Sequence, residues 1–142
     1  MATTRLEFIT EVDLPLPFGR YVLQSILGQG GMARVFRAEL QGPAGFKKQV
    51  ALKVIKTEEQ GGASEQELRS LAREARIGAM LRHPNIVDTY ELGELEGQLF
   101  IAMELVEGVT LRDLIREKIQ PPGSVLLELG LEVVAALSKA HA

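Results

Sequence analysis

Residues 27–35 read Leu-Gly-Gln-Gly-Gly-Met-Ala-Arg-Val, and eighteen positions after Val35 stands Lys53, closing Val50-Ala51-Leu52-Lys53. A glycine-dense turn lets backbone N–H groups approach phosphate oxygens with no Cβ in the way, and a lysine on a neighbouring strand adds a point charge. Gly28, Gly30 and Ala33 also satisfy the looser dinucleotide spacing G-x-G-x-x-G/A, which demands a helix straight after the turn. The residues that follow alternate instead, Val35, Arg37 and Glu39 against Phe36, Ala38 and Leu40, and a period of two is that of a strand. Tyr21 to Leu27, before the turn, is short, apolar and partly β-branched, so the glycines join two strands of a hairpin. No Gly-Lys-Ser/Thr follows them, which excludes the Walker loop.

Strands are predicted at 21–28, 34–41 and 48–55, with Gly42-Pro43 turning the chain between the last two. On the third strand Ala51, Lys53 and Ile55 share one face, and Val50, Leu52 and Val54 the other. Lys56 to Ala63 is polar and glycine-containing and reads as a flexible linker. Ser64-Glu65-Gln66-Glu67 is a capping box opening a helix, with Leu68, Leu71, Ala75 and Leu81 at helical spacing and His83-Pro84 as its stop. Two more strands, 86–93 and 98–104, are joined by Glu94-Leu95-Glu96-Gly97, and helices at 110–118 and 124–142 complete the chain. Residues 1–20, with Leu14-Pro15-Leu16-Pro17, read as an extended leader, because a residue before proline is pushed out of helical geometry.

A glycine-rich hairpin followed by Val-Ala-Leu-Lys resembles the start of a protein kinase domain, and its Gly-Gly-Met run is most similar to bacterial Ser/Thr kinases of the eukaryotic type. Further motifs arrive in that family's order. Arg73-Glu74-Ala75 lies on the predicted helix, His83-Pro84-Asn85-Ile86-Val87 ends it, and Ile101 to Gly108 resembles the strand running into the hinge between lobes. Leu137 to Ala142 resembles the approach to the catalytic loop, so the resemblance covers residues 21–142. It implies an α+β fold: a kinase N-lobe, made of a five-stranded antiparallel sheet plus helix C, followed by the first helices of the C-lobe, D and E. The expected division is a leader at 1–20, the ATP-binding N-lobe and hinge at 21–108, and the start of the C-lobe at 109–142. No His-Arg-Asp, Asp-Phe-Gly or Ala-Pro-Glu occurs in the 142 residues, so a truncated half-domain, inactive alone, is expected.

The resemblance assigns roles residue by residue. Lys53 is to reach the α- and β-phosphates of ATP, and Glu74 to pair with Lys53. Leu71 and Ile77, three residues either side of Glu74, predict that it borders the apolar stripe of its helix. Gly28 and Gly30 supply close backbone approach, Val35 lies over the adenine with Leu27 beside the same site, and Ala51 is a small ceiling over the base. Met103 falls at the gatekeeper position, and the Glu104 carbonyl and Val106 amide are to bond the adenine edge. Ala33 departs from the family's third glycine, and since alanine reaches positive φ only with strain, a stiffer or shifted loop is predicted. Implied with ATP are Mg²⁺, whose ligands this sequence lacks, and a protein substrate bearing Ser or Thr. The alternative is a non-catalytic nucleotide-sensing or scaffold module, against which the retention of Lys53, Glu74 and Gly30 argues.

Composition, 46% hydrophobic and 25% charged, fits a globular unit. The absence of cysteine excludes disulfides and thiolate metal sites and is compatible with a reducing cytoplasm. His83 and His141 are isolated, so both read as structural and no metal site is expected. A net charge of −3 with scattered Lys and Arg offers no footprint for nucleic acid. The start has no apolar h-region, and Glu128, Glu132 and Lys139 interrupt the one segment approaching transmembrane length, so a cytoplasmic chain is expected, any membrane anchor lying outside this segment. Val125, Leu126, Leu129, Val133, Val134, Ala136 and Leu137 make the last helix apolar around much of its circumference, which predicts self-association through it.

Overall fold

The computed structural model describes residues 6–56 and 61–142, the side chain of Glu7 excepted. Among the described residues six antiparallel strands, β1 (Leu16–Phe18), β2 (Tyr21–Gln29), β3 (Ala33–Gln41), β4 (Lys47–Ile55), β5 (Thr89–Leu95) and β6 (Gln98–Met103), form one sheet in the order β1-β2-β3-β4-β6-β5. Helix α1 (Glu65–Met80) separates β4 from β5, and α2 (Leu111–Arg116) and α3 (Gly123–Ala140) follow β6. The α+β expectation holds with one strand more than the five expected. Two compact units emerge: one joins Asp88–Leu105 to the chain up to Met80, the other joins Leu81–Val87 to Val106–Ala142.

In the first unit the register separates two faces. Phe36 lies opposite Leu52 and Ala38 opposite Val50 across β3 and β4, while Leu52 meets Ala102 and Val54 meets Phe100 across β4 and β6. With Leu23 and Tyr21 these side chains form the main core, and Phe36, Leu23, Leu52 and Val50 are fully buried. The Phe18 and Tyr21 rings meet Phe100 edge-on at 5.5 and 5.6 Å.

Residues 6–18 correct the expected extended leader. They form two short 3₁₀ turns, Leu6–Phe8 and Glu11–Asp13, and then β1, and they put Leu6 and Ile9 into the same core. Their apolar side chains cover a sheet face that would otherwise meet water. Pro17 is tolerated because β1 is an edge strand, with no further ladder to donate to.

Helix α1 begins as its capping box requires. The Ser64 N–H and hydroxyl both donate to the Glu67 carboxylate at 2.8 Å, and the Glu67 N–H donates to Ser64 Oγ at 3.4 Å. Those bonds, the backbone one first, hold the Glu67 carboxyl below its ordinary range. Leu68 and Leu71 pack on a second cluster of Ala33, Ile55 and Ala63. Residues 57–60 of the expected linker lie outside the described residues, but buried Ala63 donates its N–H to the Lys56 carbonyl at 3.1 Å. The β5–β6 turn places Glu96 and Gly97 at φ of 51° and 80°, the left-handed pair that suits a tight hairpin. Strand β5 starts at Thr89 and not at 86 because the Ile86 N–H closes a turn on the His83 carbonyl at 3.0 Å.

In the second unit Thr110 and Asp113 cap α2 reciprocally. The Asn85 side-chain amide donates to the Glu132 carbonyl on α3 at 3.1 Å and to the Glu132 carboxylate, while the Asn85 N–H donates to His83 Nδ1 at 3.1 Å. Helix α3 has no buried residue, and Leu127, Leu131 and Val134 stand exposed along it. Among the described residues no helix is long and apolar enough to cross a membrane.

Arg20 and the Tyr21 hydroxyl both donate to the Glu91 carboxylate, Arg20 at 2.6 Å. Burial first, and the bond to Glu91 second, push the Tyr21 phenol up to about 12. The folded chain therefore keeps a proton that the unfolded chain releases near pH ~10, and stability present below that value is lost as pH climbs towards 12. Ultraviolet titration of Tyr90→Phe, which leaves Tyr21 as the one phenol of the two in the sequence, should give a midpoint near 12. A midpoint near ~10 would contradict the arrangement.

Candidate functional site

The sheet face opposite the core carries Ala33, Val35, Ala51, Lys53, Ile55, Ile101 and Met103, which follows from the same register: Val35 and Ile101 lie directly opposite Lys53 on its two sides, and Met103 opposite Ala51. The β2–β3 turn is a hairpin, as expected, closed by the Gly30 N–H donating to the Ala33 carbonyl at 2.9 Å. Over this face opens a cavity of about 560 Å³, lined by residues 28–33 of the turn, Val35, Lys53, Ile55 and, from α1, Leu71. Volume and lining suit a small organic ligand.

Lys53 is half-buried between hydrophobic neighbours, and among the described residues its ammonium has no hydrogen-bond or ion-pair partner. A cation drawn out of bulk water and left uncompensated at a cavity wall favours an anionic ligand there.

The glycines act by what they lack. Neither Gly28, Gly30 and Gly31 nor Ala33 occupies the left-handed region. Ala33 therefore brings no left-handed strain to the turn, and it opens β3 opposite Ile55. A Cβ built on Gly28 or Gly31 meets nothing within 4 Å, and one on Gly30 meets only the Ala33 carbonyl at 3.8 Å. The chain's own packing does not demand glycine at these positions; glycine keeps the main chain open to a ligand. Lys56, expected in a flexible linker, instead clamps the turn: its ammonium donates to the Gly30 carbonyl at 3.0 Å and its N–H to the Met32 carbonyl at 2.8 Å.

Other expected site residues are placed less uniformly. Glu74 is exposed on α1, and no ion pair joins it to Lys53; the helix turns Leu68, Leu71 and Ala75 inward, and Ile77, 51% exposed, is turned out as well. The structure thus does not bring Lys53 and Glu74 together, and Leu71 reaches the cavity instead. Leu27 is 48% exposed and lies outside the cavity lining, as do Ala51 and Met103. The Glu104 N–H donates to the Asp88 carbonyl at 2.8 Å and its carboxylate accepts the Asp88 N–H at 3.1 Å, which fixes the exit of β6. Val106 is exposed and belongs to the second unit. Among the described residues no group of three or more His, Cys, Asp or Glu could hold a metal ion.

Known proteins are similar to this chain in sequence and in fold. The chain is 36% identical over 124 residues to the serine/threonine-protein kinase PrkC of Bacillus subtilis, covering 87% of this chain and 18% of that protein. It is 38% identical over 140 residues to the tyrosine-protein kinase MasK of Myxococcus xanthus, covering 94% of this chain and 21% of that protein. The crystal structure of the PknI kinase domain of Mycobacterium tuberculosis superposes with a TM-score of 0.70 at 30% identity, covering 94% of this chain and 51% of that one. The chain thus spans about half of a solved kinase domain and a smaller share of these relatives. Residues 21–142 match the model of the protein kinase domain, and the chain belongs to that family.

Proposed function

We propose that the cavity over β3 and β4 binds the polyphosphate of ATP, and that the whole protein transfers the ATP γ-phosphoryl group to a Ser or Thr hydroxyl of a protein substrate. The unpaired Lys53 ammonium at the wall of a glycine-lined cavity is the observation that carries the reading. Lys53 supplies the charge for the α- and β-phosphates and the open main chain of residues 28–31 the hydrogen-bond donors. Val35 lies over the adenine, with Leu27, Ala51 and Met103 beside the base and the Glu104 carbonyl and Val106 N–H at its edge, roles taken over from the family. Glu74 becomes a partner for Lys53 only if α1 turns it inward. The described residues do not fit a metal site, so no step is assigned to Mg²⁺ here. Phosphoryl transfer is chiefly positioning and electrostatic stabilisation, and what this chain contributes is positioning.

The name of PrkC supports Ser or Thr as acceptor; that of MasK supports Tyr as the second reading. Nuclear magnetic resonance titration of the chain with ATP tests the site itself. Saturable shifts at the amides of residues 28–35 and at Lys53 are expected. Saturable shifts confined elsewhere, or none, would overturn the assignment.

A further inference from the structure

Arg34 is a buried cation that the nucleotide reading leaves unused. It is 8% exposed, beside Val35 near the start of β3, and strand alternation turns it to the core face, where its guanidinium lies 6.0 Å from the centre of the Phe36 ring. Its Nη1 donates to the Leu6 carbonyl at 2.6 Å, and Nε and Nη2 donate to the Gln29 side-chain oxygen at 3.1 and 3.0 Å. Gln29 stands between Gly28 and Gly30, pairs with Arg34 in the β2–β3 register, and lines the cavity. A second tie runs parallel: the Glu11 carboxylate accepts the Ile26 N–H at 2.9 Å, where the register of β2 shifts between Ile26 and Gly28. Buried Leu6 and Ile9 anchor the segment that supplies both Leu6 and Glu11.

A guanidinium is costly to bury unless its donors are used, and these donors join the N-terminal segment, the cavity wall and β3. The geometry points to Arg34 as a positioning residue for the polyphosphate: by holding Gln29 to the Leu6 carbonyl it fixes the main chain of residues 28–30 against residues 6–11, a strap behind the hairpin. This rests on the reading of the cavity as an ATP site. Glycine leaves that main chain free to sample many poses, and a ligand held by its amides binds only the competent fraction. Adenosine, which has no phosphates, does not sense the strap.

The test uses the full chain with Gln29→Met, Arg34→Met and both together, read by hydrogen exchange at Gly30 and by calorimetric titration with ATP and with adenosine. Each single variant is expected to speed exchange at Gly30 and to weaken ATP binding by about tenfold with adenosine unchanged, and the double variant to be no worse than Arg34→Met. Gln29 is exposed, so its variant stays folded even if Arg34→Met does not. Unchanged exchange in Gln29→Met, equal losses for ATP and adenosine, or additive losses would each overturn the strap. If the unmodified chain binds no ATP, the nucleotide reading fails alone, and exchange at Gly30 still decides the role of Arg34.

Discussion

Lys53→Met is expected to weaken ATP binding by about 10- to 100-fold, because a hydrogen bond to a charged group contributes about 1.5–3 kcal/mol and each ~1.4 kcal/mol is a factor of ten. Methionine keeps the unbranched stem that packs between Val35 and Ile101, so only the charge and its donors are removed. Folding should not suffer, since no partner among the described residues loses a bond. A fluorescent-nucleotide titration, with melting temperature as control, reads both. Equal affinities in the two chains would take Lys53 out of the site, and a fall in melting temperature with affinity intact would make it a structural residue.

Phe36→Ala should come close to unfolding the first unit. Phe36 is fully buried opposite Ile26 on β2 and Leu52 on β4, at the middle of the core. Truncating such a side chain costs about 3–5 kcal/mol, through lost transfer energy and the cavity left behind, out of a total of about 5–15 kcal/mol. A drop in melting temperature of about 10 °C or more is expected for a chain of this size. Val12→Ala, at a residue 90% exposed, should stay within about 0.5 kcal/mol of the unmodified chain and serves as the control. A drop at Phe36 no greater than at Val12 would show that the alternation of β3 has been assigned to the wrong faces.

The parts of this molecule that the sequence made legible are those decided within a few residues. The turn at Gly28–Val35, the alternation around Lys53 and the reciprocal Ser64–Glu67 cap each follow from local geometry, and the structure bears out all three as elements. The N-terminal segment was misread for the opposite reason. Two prolines within Leu14–Pro17 argue for extended chain, whereas the burial of Leu6 and Ile9 depends on Phe36 and Phe100, distant in sequence, needing a cover. On α1 the spacing of Leu68, Leu71 and Ala75 does give the arc that turns inward, but the side on which Glu74, at the border of that arc, comes to lie is a tertiary matter, and it is exposed. Arg34 gave no signal, since a cation at a core position reads as surface until its acceptors are seen. Lys56 was hidden by its polar, glycine-containing surroundings.

Because Lys53 is flanked on β4 by Leu52 and Val54, which point into the core, the cavity face and the core face are interleaved at alternate positions of a single strand, and with them the proposed ligand chemistry and the folding. Point substitutions on the Lys53 face can retune what is bound while the buried set stays intact. A change of length cannot. Inserting or deleting one residue within β4 exchanges the two sets, driving an ammonium among aromatic rings and setting leucine or valine in its place before the ligand. This strand can therefore diversify by replacement, but an insertion or deletion of one residue would destroy its folding and the proposed binding in the same step.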